Sequence, residues 1–510
     1  MSYPVLSHCL PPRTADKSVI LCIGGSDSIA MAGIQMDSRC SASLGLHCVT
    51  AITAVTAQTN HALVSLNPVS SRALKQQVES GLSLHPKAIK IGLLASIEQV
   101  YLLADLLAHC SVPITLDPVL ATSSKGNTAT DFMITAMVEQ LLPLCTLVTP
   151  NIPEAKRLLK LGDNDESDPW QLAQKLQALG VPWVVVKGGH ETISSANQTH
   201  VHDYIAGPEQ LFSLSQPRIK THHNRGTGCA LASSLSSLMA LGYEVRDALI
   251  IGKMMMQAAL EAAQGIDGQQ GCVAPQGFPS RHWPEYADQC INKNLKPLTF
   301  PTCVGHGEPE QLGLYPIVDS TDWLERVLSQ GVTTAQLRVK ELQGTALQTE
   351  IGRAVAVAKR HQCRLFINDH WRQAIAAGAY SVHLGQEDLQ AANLSAIAKS
   401  GLRLGISNHS HFELAKTLTI QPSYIACGPI FTTTTKVMPW IPYGMDGLDY
   451  WCKSLLGRPL VAIAGIDAGN IAAISATGVS GIALITCITK ALNPEQMTRH
   501  LLQQIEANRT

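Results

Sequence analysis

The sequence has little charge, and its charges cancel. Lys and Arg number 38 and Asp and Glu 39, which gives a formal net charge of -1. Charged residues make up 15% of the chain, whereas about 25% is usual for a globular domain. This balance excludes a general electrostatic footprint for nucleic acid or for an anionic membrane surface. We therefore expect small molecules as partners, with no nucleic acid and no membrane, and the oligomeric state stays open, a homo-oligomer included.

Other familiar signals are also missing. No apolar run reaches about 18 uninterrupted residues, since the longest candidate, 92–110, carries Glu98 and Asp105. Residues 1–14 lack the basic-then-apolar pattern of a signal peptide. The 14 cysteines include no Cys-x-x-Cys spacing, which favours buried free thiols over disulfides or zinc. Together these absences predict a cytoplasmic protein.

The length of 510 residues suggests two to four domains. Prolines and glycines interrupt every pattern between residues 265 and 311, as in a domain tail followed by a linker. We predict an N-terminal domain at 1–286, a linker at 287–311 and a C-terminal domain at 312–510.

The C-terminal domain alternates short apolar segments with amphipathic helix patterns. Eight strand candidates occur, at 314–318, 334–339, 365–368, 381–384, 403–407, 424–428, 460–464 and 481–486. Eight such units in about 200 residues predict a (β/α)8 barrel with its active site at the carboxyl ends of the strands.

The N-terminal domain alternates in a similar way. Its strand candidates lie at 19–23, 48–53, 88–91, 114–116, 147–149 and 183–186, with a β-pair near 201–205 and 211–214. Continuous apolar strands with crossover helices predict a mostly parallel, doubly wound αβα domain.

One segment of this domain suits phosphate chemistry. Gly226, Thr227, Gly228 and Cys229 open a helix pattern. Free backbone N–H groups and the helix dipole favour an anion there, and a thiol at a helix N-terminus has a lowered pKa, so Cys229 is a candidate general base. The alternative is an ordinary glycine-bearing loop that enters a helix.

Three further positions accompany this segment. Lys187 ends a buried strand and is followed by two glycines, as a nucleotide-phosphate site requires. Glu154 and Asp117 follow two other strands, where magnesium–phosphate chemistry needs carboxylates. Each has a structural alternative, because Glu154 also suits the first turn of a helix and Asp117 a helix cap.

In this order the motifs resemble those of the hydroxymethylpyrimidine and phosphomethylpyrimidine kinases, which have a ribokinase-like fold. The matching stretches are Gly25-Ser26-Asp27, 32–37, Ala57-Gln58, 90–94, 116–119, 149–154, 186–190 and 226–229. The resemblance implies that Asp37 and Gln58 bind the aminopyrimidine, that Gly226–Cys229 forms the anion hole, that Lys187 faces ATP and that Glu154 helps to place Mg2+. One departure is Ile29-Ala30-Met31, where the family has Ser-Gly-Gly.

Polar residues also follow the predicted strands of the barrel. Gln336, Arg338 and Lys340 alternate with Leu337 and Val339, so the polar set should face one way and suit a diphosphate. The alternative is an amphipathic strand facing water.

Other strand ends add metal and phosphate ligands. Asn368 and Asp369 end one strand and Asp388 follows the next, which suits a shared Mg2+. A loop of hydroxyl groups and a lysine, followed by a glycine turn, fits a phosphate monoester; its residues are Thr433, Thr434, Thr435, Lys436 and Gly465.

Residues 312–492 resemble thiamine-phosphate synthase. The matches are 314–319, 336–340, 366–369, 382–388, 404–407, 428–431 and 462–466. The resemblance implies that Gln336, Leu337, Arg338, Val339, Lys340 and Asn368 bind the pyrimidine diphosphate, with Arg338 and Lys340 stabilising the leaving group. Asp369 and Asp388 would hold Mg2+, and Ser407 would touch the pyrimidine. The thiazole phosphate would contact Thr433, Thr434, Thr435, Lys436, Gly465, Ile485 and Thr486.

The two resemblances together imply a bifunctional enzyme of thiamine synthesis. The N-terminal domain would phosphorylate hydroxymethylpyrimidine and its monophosphate with ATP and Mg2+, and the barrel would join the product to a thiazole phosphate. Two alternatives remain open. In one, the kinase-like domain only binds the pyrimidine, and in the other the barrel is a different phosphate-binding isomerase.

Overall fold

The computed structural model describes residues 9–11, 16–120, 129–162, 165–189, 199–288, 298–303, 311–433 and 440–508. The chain divides into two compact units. One contains residues 11–293, and the other contains residues from 294 onward together with Cys9 and Leu10. None of the described helices combines the length and apolarity that a bilayer span requires.

The described part of the first unit is one sheet with helices packed on it. Its strands are β1 (Val19–Asp27), β2 (His47–Gln58), β3 (Leu63–Pro68), β4 (Ala88–Ile91), β5 (Ile114–Leu116), β6 (Leu147–Val148), β7 (Trp183–Lys187), β8 (His200–Gly207), β9 (Gln210–Pro217) and β10 (Glu285–Asp288). Its helices are α1 (Gly33–Ser43), α2 (Ser71–Leu82), α3 (Ile97–Leu107), α4 (Asp131–Ala136), α5 (Ile152–Leu158), α6 (Pro169–Gln177), α7 (Thr227–Ala240) and α8 (Val245–Glu261).

The strand order is β10-β9-β8-β7-β6-β5-β4-β1-β2-β3. From β7 to β2 in this order, neighbouring strands pair in parallel. The pairs from β10 to β7 on one side, and the pair of β2 with β3 on the other, are antiparallel. Parallel strands are buried on both faces, which explains fully buried segments such as Ala88–Ile91. Strand β10 crosses the boundary expected at residue 286, because it pairs with β9 as far as Asp288.

The second unit is a closed barrel of parallel strands. They are β11 (Gly313–Val318), β12 (Thr334–Leu337), β13 (Arg364–Asn368), β14 (Ser381–Leu384), β15 (Arg403–Asn408), β16 (Tyr424–Cys427), β17 (Leu460–Ile463) and β18 (Gly481–Leu484). The described helices are α9 (Thr321–Leu328), α10 (Gly344–Arg360), α11 (Trp371–Ala376), α12 (Gln386–Ala391), α13 (Leu394–Lys399), α14 (His411–Ile420), α15 (Gly444–Ser454), α16 (Ile471–Ser475), α17 (Thr486–Thr489) and α18 (Pro494–Ala507).

Local sequence explains how these helices begin and which face they bury. Ser320 caps α9 by accepting a hydrogen bond from the Trp323 backbone, as a serine N-cap does. Leu324, Val327 and Leu328 then bury one face of the helix, at the spacing that an amphipathic helix requires.

The barrel interior contains a residue from the stretch predicted to be a linker. Cys303 is fully buried among inward-facing side chains that include Tyr315, Phe366 and Tyr424. Part of the stretch 287–311 therefore belongs to the barrel core and is not a free spacer. The cysteines of the described residues are all free, as the absence of paired spacings predicts.

Candidate active sites

A cavity of about 730 Å³ lies at the carboxyl ends of the parallel strands in the first unit. It is lined by the ends of β1, β2, β4, β5 and β7 and by the start of α7. The order of the strands reverses between β1 and β4, and ligands of doubly wound sheets bind at such a point. The topology therefore places a ligand site where the sequence motifs converge.

The start of α7 has the form of an anion hole. Gly226 precedes the helix with φ of 77°, and a Cβ there would lie 2.1 Å from the Met31 carbonyl oxygen, so only glycine fits. A Cβ on Gly228 would lie 3.4 Å from Lys187 Nζ and 3.6 Å from Asp117 Oδ2. The structure thus brings Gly226, Thr227 and Gly228 next to Lys187, as the sequence predicts.

Lys187 and Asp117 form an ion pair at 2.9 Å within the cavity. Burial alone would lower the pKa of Lys187, but the Asp117 and Glu154 carboxylates raise it. Lys187 therefore remains a cation at neutral pH and is available to phosphate oxygens.

Glu154 lies both at the start of a helix and at the cavity. It forms a capping box with Asn151, in which each side chain accepts a backbone N–H of the other at 2.8 Å. It also lines the cavity. Burial raises the pKa of Glu154 to about 7, and Asp117 adds to the rise while Lys187 opposes it. A carboxylate in that condition suits a bound cation.

The prediction of an acidified thiol at Cys229 is wrong. Burial raises the pKa of Cys229 to about 11, and Asp37 and Asp117 add to the rise while Lys90 opposes it. Removal of the sulfur from water thus outweighs the favourable charge of Lys90. Cys229 still lines the cavity, but its resting form is the thiol.

Asp37 does not lie where the resemblance placed it. Its side chain is fully buried, pairs with Lys90 at 2.9 Å and accepts a hydrogen bond from Ser233 at 2.5 Å. It does not line the cavity, whereas Gln58 does. The carboxylate at the end of β1 that does line the cavity is Asp27, a residue of the Gly25-Ser26-Asp27 stretch for which the sequence predicts no role.

The loop 28–32 shows how the departure from the family pattern is accommodated. Asp27 accepts hydrogen bonds from the backbone N–H groups of Ile29, Met31 and Ala32 at 3.1, 3.0 and 2.9 Å. Ala30 has φ of 56°, a left-handed conformation that costs roughly 1–2 kcal/mol without glycine. The Met31 side chain is buried.

In the barrel, the direction of the parallel strands decides which end is the site. A cavity of about 1070 Å³ lies at the amino ends of the strands and is lined by residues such as Thr333, Arg364 and Arg403. Active sites of (β/α)8 barrels lie at the opposite, carboxyl end. There the structure gathers the ends of β12, β13, β15, β17 and β18, with most of the predicted residues.

Asp369 and Asp388 meet at this carboxyl end. Burial raises the pKa of Asp369 to about 6, and the charge and hydrogen bonding of Asp388 raise it further. Asp369 also has φ of 61°, a strained conformation that is typical of functional positions. Two neighbouring carboxylates of this kind fit a divalent cation.

Residues 336–340 leave the strand earlier than predicted. Strand β12 ends at Leu337, so only Gln336 projects into the barrel, where it is 3% exposed. Leu337 and Val339 are buried, Arg338 is half-buried and Lys340 is exposed, so the predicted alternation holds beyond the strand. Arg338 lies close enough to oppose the rise in the pKa of Asp369.

The remaining predicted residues surround the same end. Asn368 ends β13 and is buried, and Ser407 lies near the end of β15 and is partly exposed. Ile485 and Thr486 start α17 directly after β18. Thr433 follows β16 and is partly buried, while Thr434, Thr435 and Lys436 lie outside the described residues.

The glycine turn after β17 is tightly packed. Gly465 has φ of 69°, and a Cβ there would lie 2.5 Å from the Phe431 side chain. The preceding Ala464 also has a positive φ, of 77°. Its carbonyl accepts a hydrogen bond from Phe431 N at 3.1 Å, which holds this turn against the loop after β16.

Sequence reasoning missed a chain of buried polar residues inside the barrel. Tyr315, Tyr424 and His383 link Gln336 to Ser407 through hydrogen bonds of 2.6–3.3 Å. Burial lowers the pKa of His383 to about 4, with Arg338 contributing. A tyrosine in an apolar strand pattern gives no signal of such a contact, because an inward phenol and an inward phenyl ring look alike in sequence.

Comparisons with known proteins agree with this division. Residues 27–274 match the family model of phosphomethylpyrimidine kinase, and residues 314–488 match that of thiamine monophosphate synthase. The thiamine-phosphate synthase of Neisseria meningitidis serogroup A is 53% identical over 188 residues, which are 37% of this chain and 92% of that protein. That of Serratia proteamaculans is 48% identical over 198 residues, 39% of this chain and 93% of that protein.

Solved structures similar to the N-terminal half include a phosphomethylpyrimidine kinase from Clostridium difficile. It is 27% identical with a TM-score of 0.42 and covers 48% of this chain and 100% of that one. A pyridoxal kinase from Staphylococcus aureus in complex with AMP-PCP is 25% identical with a TM-score of 0.49, covering 54% and 100%.

The fold class predicted for each half is confirmed, and so is the pair of families. The order of the two domains along the chain is also the predicted one. Kinases and thiamine-phosphate synthases are transferases, and their presence in one chain is consistent with a bifunctional enzyme of thiamine biosynthesis. The chain belongs to the thiamine-phosphate synthase family through its C-terminal barrel, and it carries a phosphomethylpyrimidine kinase domain ahead of that barrel.

Proposed function

We propose that this chain carries out three consecutive reactions in the cytoplasm. Residues 1–286 would phosphorylate 4-amino-5-hydroxymethyl-2-methylpyrimidine with ATP, and then phosphorylate the monophosphate. Residues 312–510 would join the resulting diphosphate to a thiazole phosphate and release diphosphate. The observation that carries the proposal is that one chain contains both sites, each with its charged groups gathered at the carboxyl ends of parallel strands.

The kinase site is suited to stabilising charge that develops on a transferred phosphoryl group. Backbone N–H groups of Gly226, Thr227 and Gly228 and the dipole of α7 would receive its oxygens. Lys187 would contact the phosphates of ATP. Gln58 and Asp27 line the same cavity and would bind the aminopyrimidine edge. Cys229 would take the hydroxyl proton, although its raised pKa makes it a poor base before substrate binds.

The synthase site is suited to the departure of diphosphate. Arg338 and Lys340 would bind its oxygens, and Gln336 and Asn368 would orient the pyrimidine diphosphate. Ser407 would contact the pyrimidine ring. Gly465, Ile485, Thr486 and the loop that begins at Thr433 would hold the thiazole phosphate.

Magnesium fits both sites as a cofactor. Asp369 and Asp388 would hold it in the barrel, and Glu154 would help to hold it in the kinase site. Among the described residues, no three His, Cys, Asp or Glu side chains converge on one point, so substrate oxygens would complete the coordination, as is usual for Mg2+. When bound, the ion neutralises phosphate charge.

A second candidate is an active synthase with a silent kinase-like domain. The buried Met31 and the contact of its carbonyl with Gly226 favour it, because the loop 28–32 occupies space beside the anion hole.

One experiment separates these candidates. Purified protein is given the thiazole phosphate with either hydroxymethylpyrimidine plus ATP or the preformed pyrimidine diphosphate, and thiamine phosphate is measured by chromatography. Product from both mixtures supports three reactions. Product from the diphosphate alone indicates a silent kinase domain, and no product from either mixture contradicts the proposal.

A further inference from the structure

A continuous chain of five polar side chains crosses the barrel interior. Gln336 Nε2 lies 3.3 Å from Tyr315 OH, which lies 2.9 Å from Tyr424 OH. Tyr424 OH lies 2.6 Å from His383 Nδ1, and His383 Nε2 lies 2.9 Å from Ser407 Oγ. We call this chain of side chains the relay. Its two ends, Gln336 and Ser407, are residues that we assign to the pyrimidine substrate.

The three middle members are buried among apolar side chains. Tyr315 and Tyr424 are each 1% exposed and His383 is 5% exposed. A Cβ on Gly405 would lie 2.2 Å from Tyr424 Cζ, so the glycine makes room for the phenol. Buried hydroxyl and imidazole groups are costly unless each is hydrogen-bonded. Phenylalanine would fill this core without that requirement, so packing alone does not explain the hydroxyl groups.

The direction of every hydrogen bond in the relay follows from one end. An amide nitrogen can only donate, so Tyr315 accepts from Gln336. The proton of Tyr315 is buried and needs an acceptor, so it is donated to Tyr424 OH. Tyr424 in turn donates to His383 Nδ1, which leaves the proton of the neutral imidazole on Nε2, where it is donated to Ser407 Oγ. The hydroxyl proton of Ser407 is then free for another acceptor.

Rotation of the Gln336 amide by 180° would reverse all of these steps. Its carbonyl oxygen would accept from Tyr315, and the imidazole proton would move to Nδ1. Ser407 would then donate to His383 and could offer only lone pairs to a ligand.

We propose that Tyr315, Tyr424 and His383 are positioning residues that fix Ser407 as a hydrogen-bond donor toward a ring nitrogen of the aminopyrimidine. The relay makes the donor state of Ser407 depend on the orientation of the Gln336 amide, so the two ends of the substrate are recognised together. The identity of the ligand rests on the proposed synthase function, whereas the proton order within the relay does not.

The proton order can be measured without any turnover. In full-length protein with 15N-labelled histidine, long-range 1H–15N spectra distinguish the two imidazole tautomers, and the His383→Gln variant identifies the His383 signals. We expect the proton on Nε2 in the wild-type protein. In Tyr315→Phe, which cuts the relay, a population with the proton on Nδ1 should appear. A wild-type proton on Nδ1, or an unchanged tautomer in Tyr315→Phe, would overturn the proposal.

A kinetic comparison tests the consequence for catalysis. Tyr424→Phe should lower the synthase kcat/KM for the pyrimidine diphosphate about tenfold, the effect of one lost oriented hydrogen bond. The matched control is Tyr450→Phe, which removes a buried tyrosine–histidine hydrogen bond of 2.8 Å to His411 that does not lead to Ser407. The control should lose comparable stability and keep its kcat/KM. Equal losses of kcat/KM in the two variants would show a structural role only.

The two proposals fail in different ways. If wild-type protein makes no thiamine phosphate from the preformed diphosphate, the proposed function is contradicted, while the tautomer of His383 still decides the relay.

Discussion

The two sites treat buried charge in opposite ways. In the first unit, three Asp–Lys pairs lie in or beneath the cavity: Asp37–Lys90 at 2.9 Å, Asp117–Lys187 at 2.9 Å and Asp203–Lys253 at 2.6 Å. In the barrel, Asp369 and Asp388 lie beside each other and neither forms an ion pair with a described residue. The buried carboxylates of these three pairs in the first site are balanced by lysines, whereas the two carboxylates of the barrel site lie next to each other.

This difference indicates which charged ligands each site can bind. Buried charges are costly unless paired, so a balanced cavity can receive ATP, which brings its own counterion, without a large rearrangement of charge. The barrel leaves two carboxylates to be neutralised, and a divalent cation is the ligand that does so best.

The largest effect should come from removing the negative charge of the barrel site. Asp369→Ala or Asp388→Ala should lower thiamine phosphate formation about a thousandfold or more, because charge stabilisation by a metal supplies several kcal/mol. Kinase activity of the same chain should not change. The adjacent Glu387 is exposed, and Glu387→Ala serves as the control. Near-normal synthase rates in either aspartate variant would contradict this comparison, because the two carboxylates would then not be needed for catalysis.

A smaller effect is expected in the kinase cavity, where Cys229 is the candidate base. Because the pKa of Cys229 is raised to about 11, the thiolate fraction should grow about tenfold per pH unit up to that value. If Cys229 is the base, kinase turnover should rise with pH between 7 and 9 without a plateau, in phosphoryl-transfer assays at saturating ATP.

Cys229→Ser tests the same residue. It should lower kinase turnover about a hundredfold, toward the low end of the range for general-base assistance, while pyrimidine affinity holds. An unchanged turnover number with intact binding would remove Cys229 from the mechanism, and a plateau near neutral pH would mean that burial does not control the thiol.

Much of the fold could be predicted from the sequence because its strands are short, apolar and evenly spaced. All eight barrel strands lie where the pattern predicts, within one or two residues at each end. Strands β3 and β10 were missed. The first is a half-exposed edge strand, and the second depends on pairing with β9, so neither has a continuous apolar run.

The site was less predictable where burial decides the chemistry. Asp27 ends β1 and Asp37 lies in α1, and only the packing of α1 reveals that Asp37 turns toward Lys90 and away from the cavity. The effect of a helix N-terminus on Cys229 was overestimated because the sequence does not give the degree of burial. Composition likewise concealed Cys303, a core residue within a proline-rich stretch.

The smallest effect concerns two alanines with positive φ, of which Ala30 stands where the kinase family has glycine. Ala30 beside the kinase cavity and Ala464 beside the barrel turn both have positive φ, 56° and 77°. Glycine adopts this conformation freely, so Ala464→Gly and Ala30→Gly should each stabilise the protein by roughly 1 kcal/mol, less the larger entropy that glycine has in the unfolded chain. Thermal unfolding followed by circular dichroism, with two transitions expected for two domains, measures this.

The control is Ala356→Gly on the exposed face of α10, which should destabilise the barrel by about 1 kcal/mol. If Ala464→Gly behaves like Ala356→Gly, then the turn after β17 is not strained. If Ala30→Gly raises kinase turnover and Ala464→Gly does not, then the residues at 29–31 limit the turnover of the kinase site. The barrel turn then tolerates its alanine.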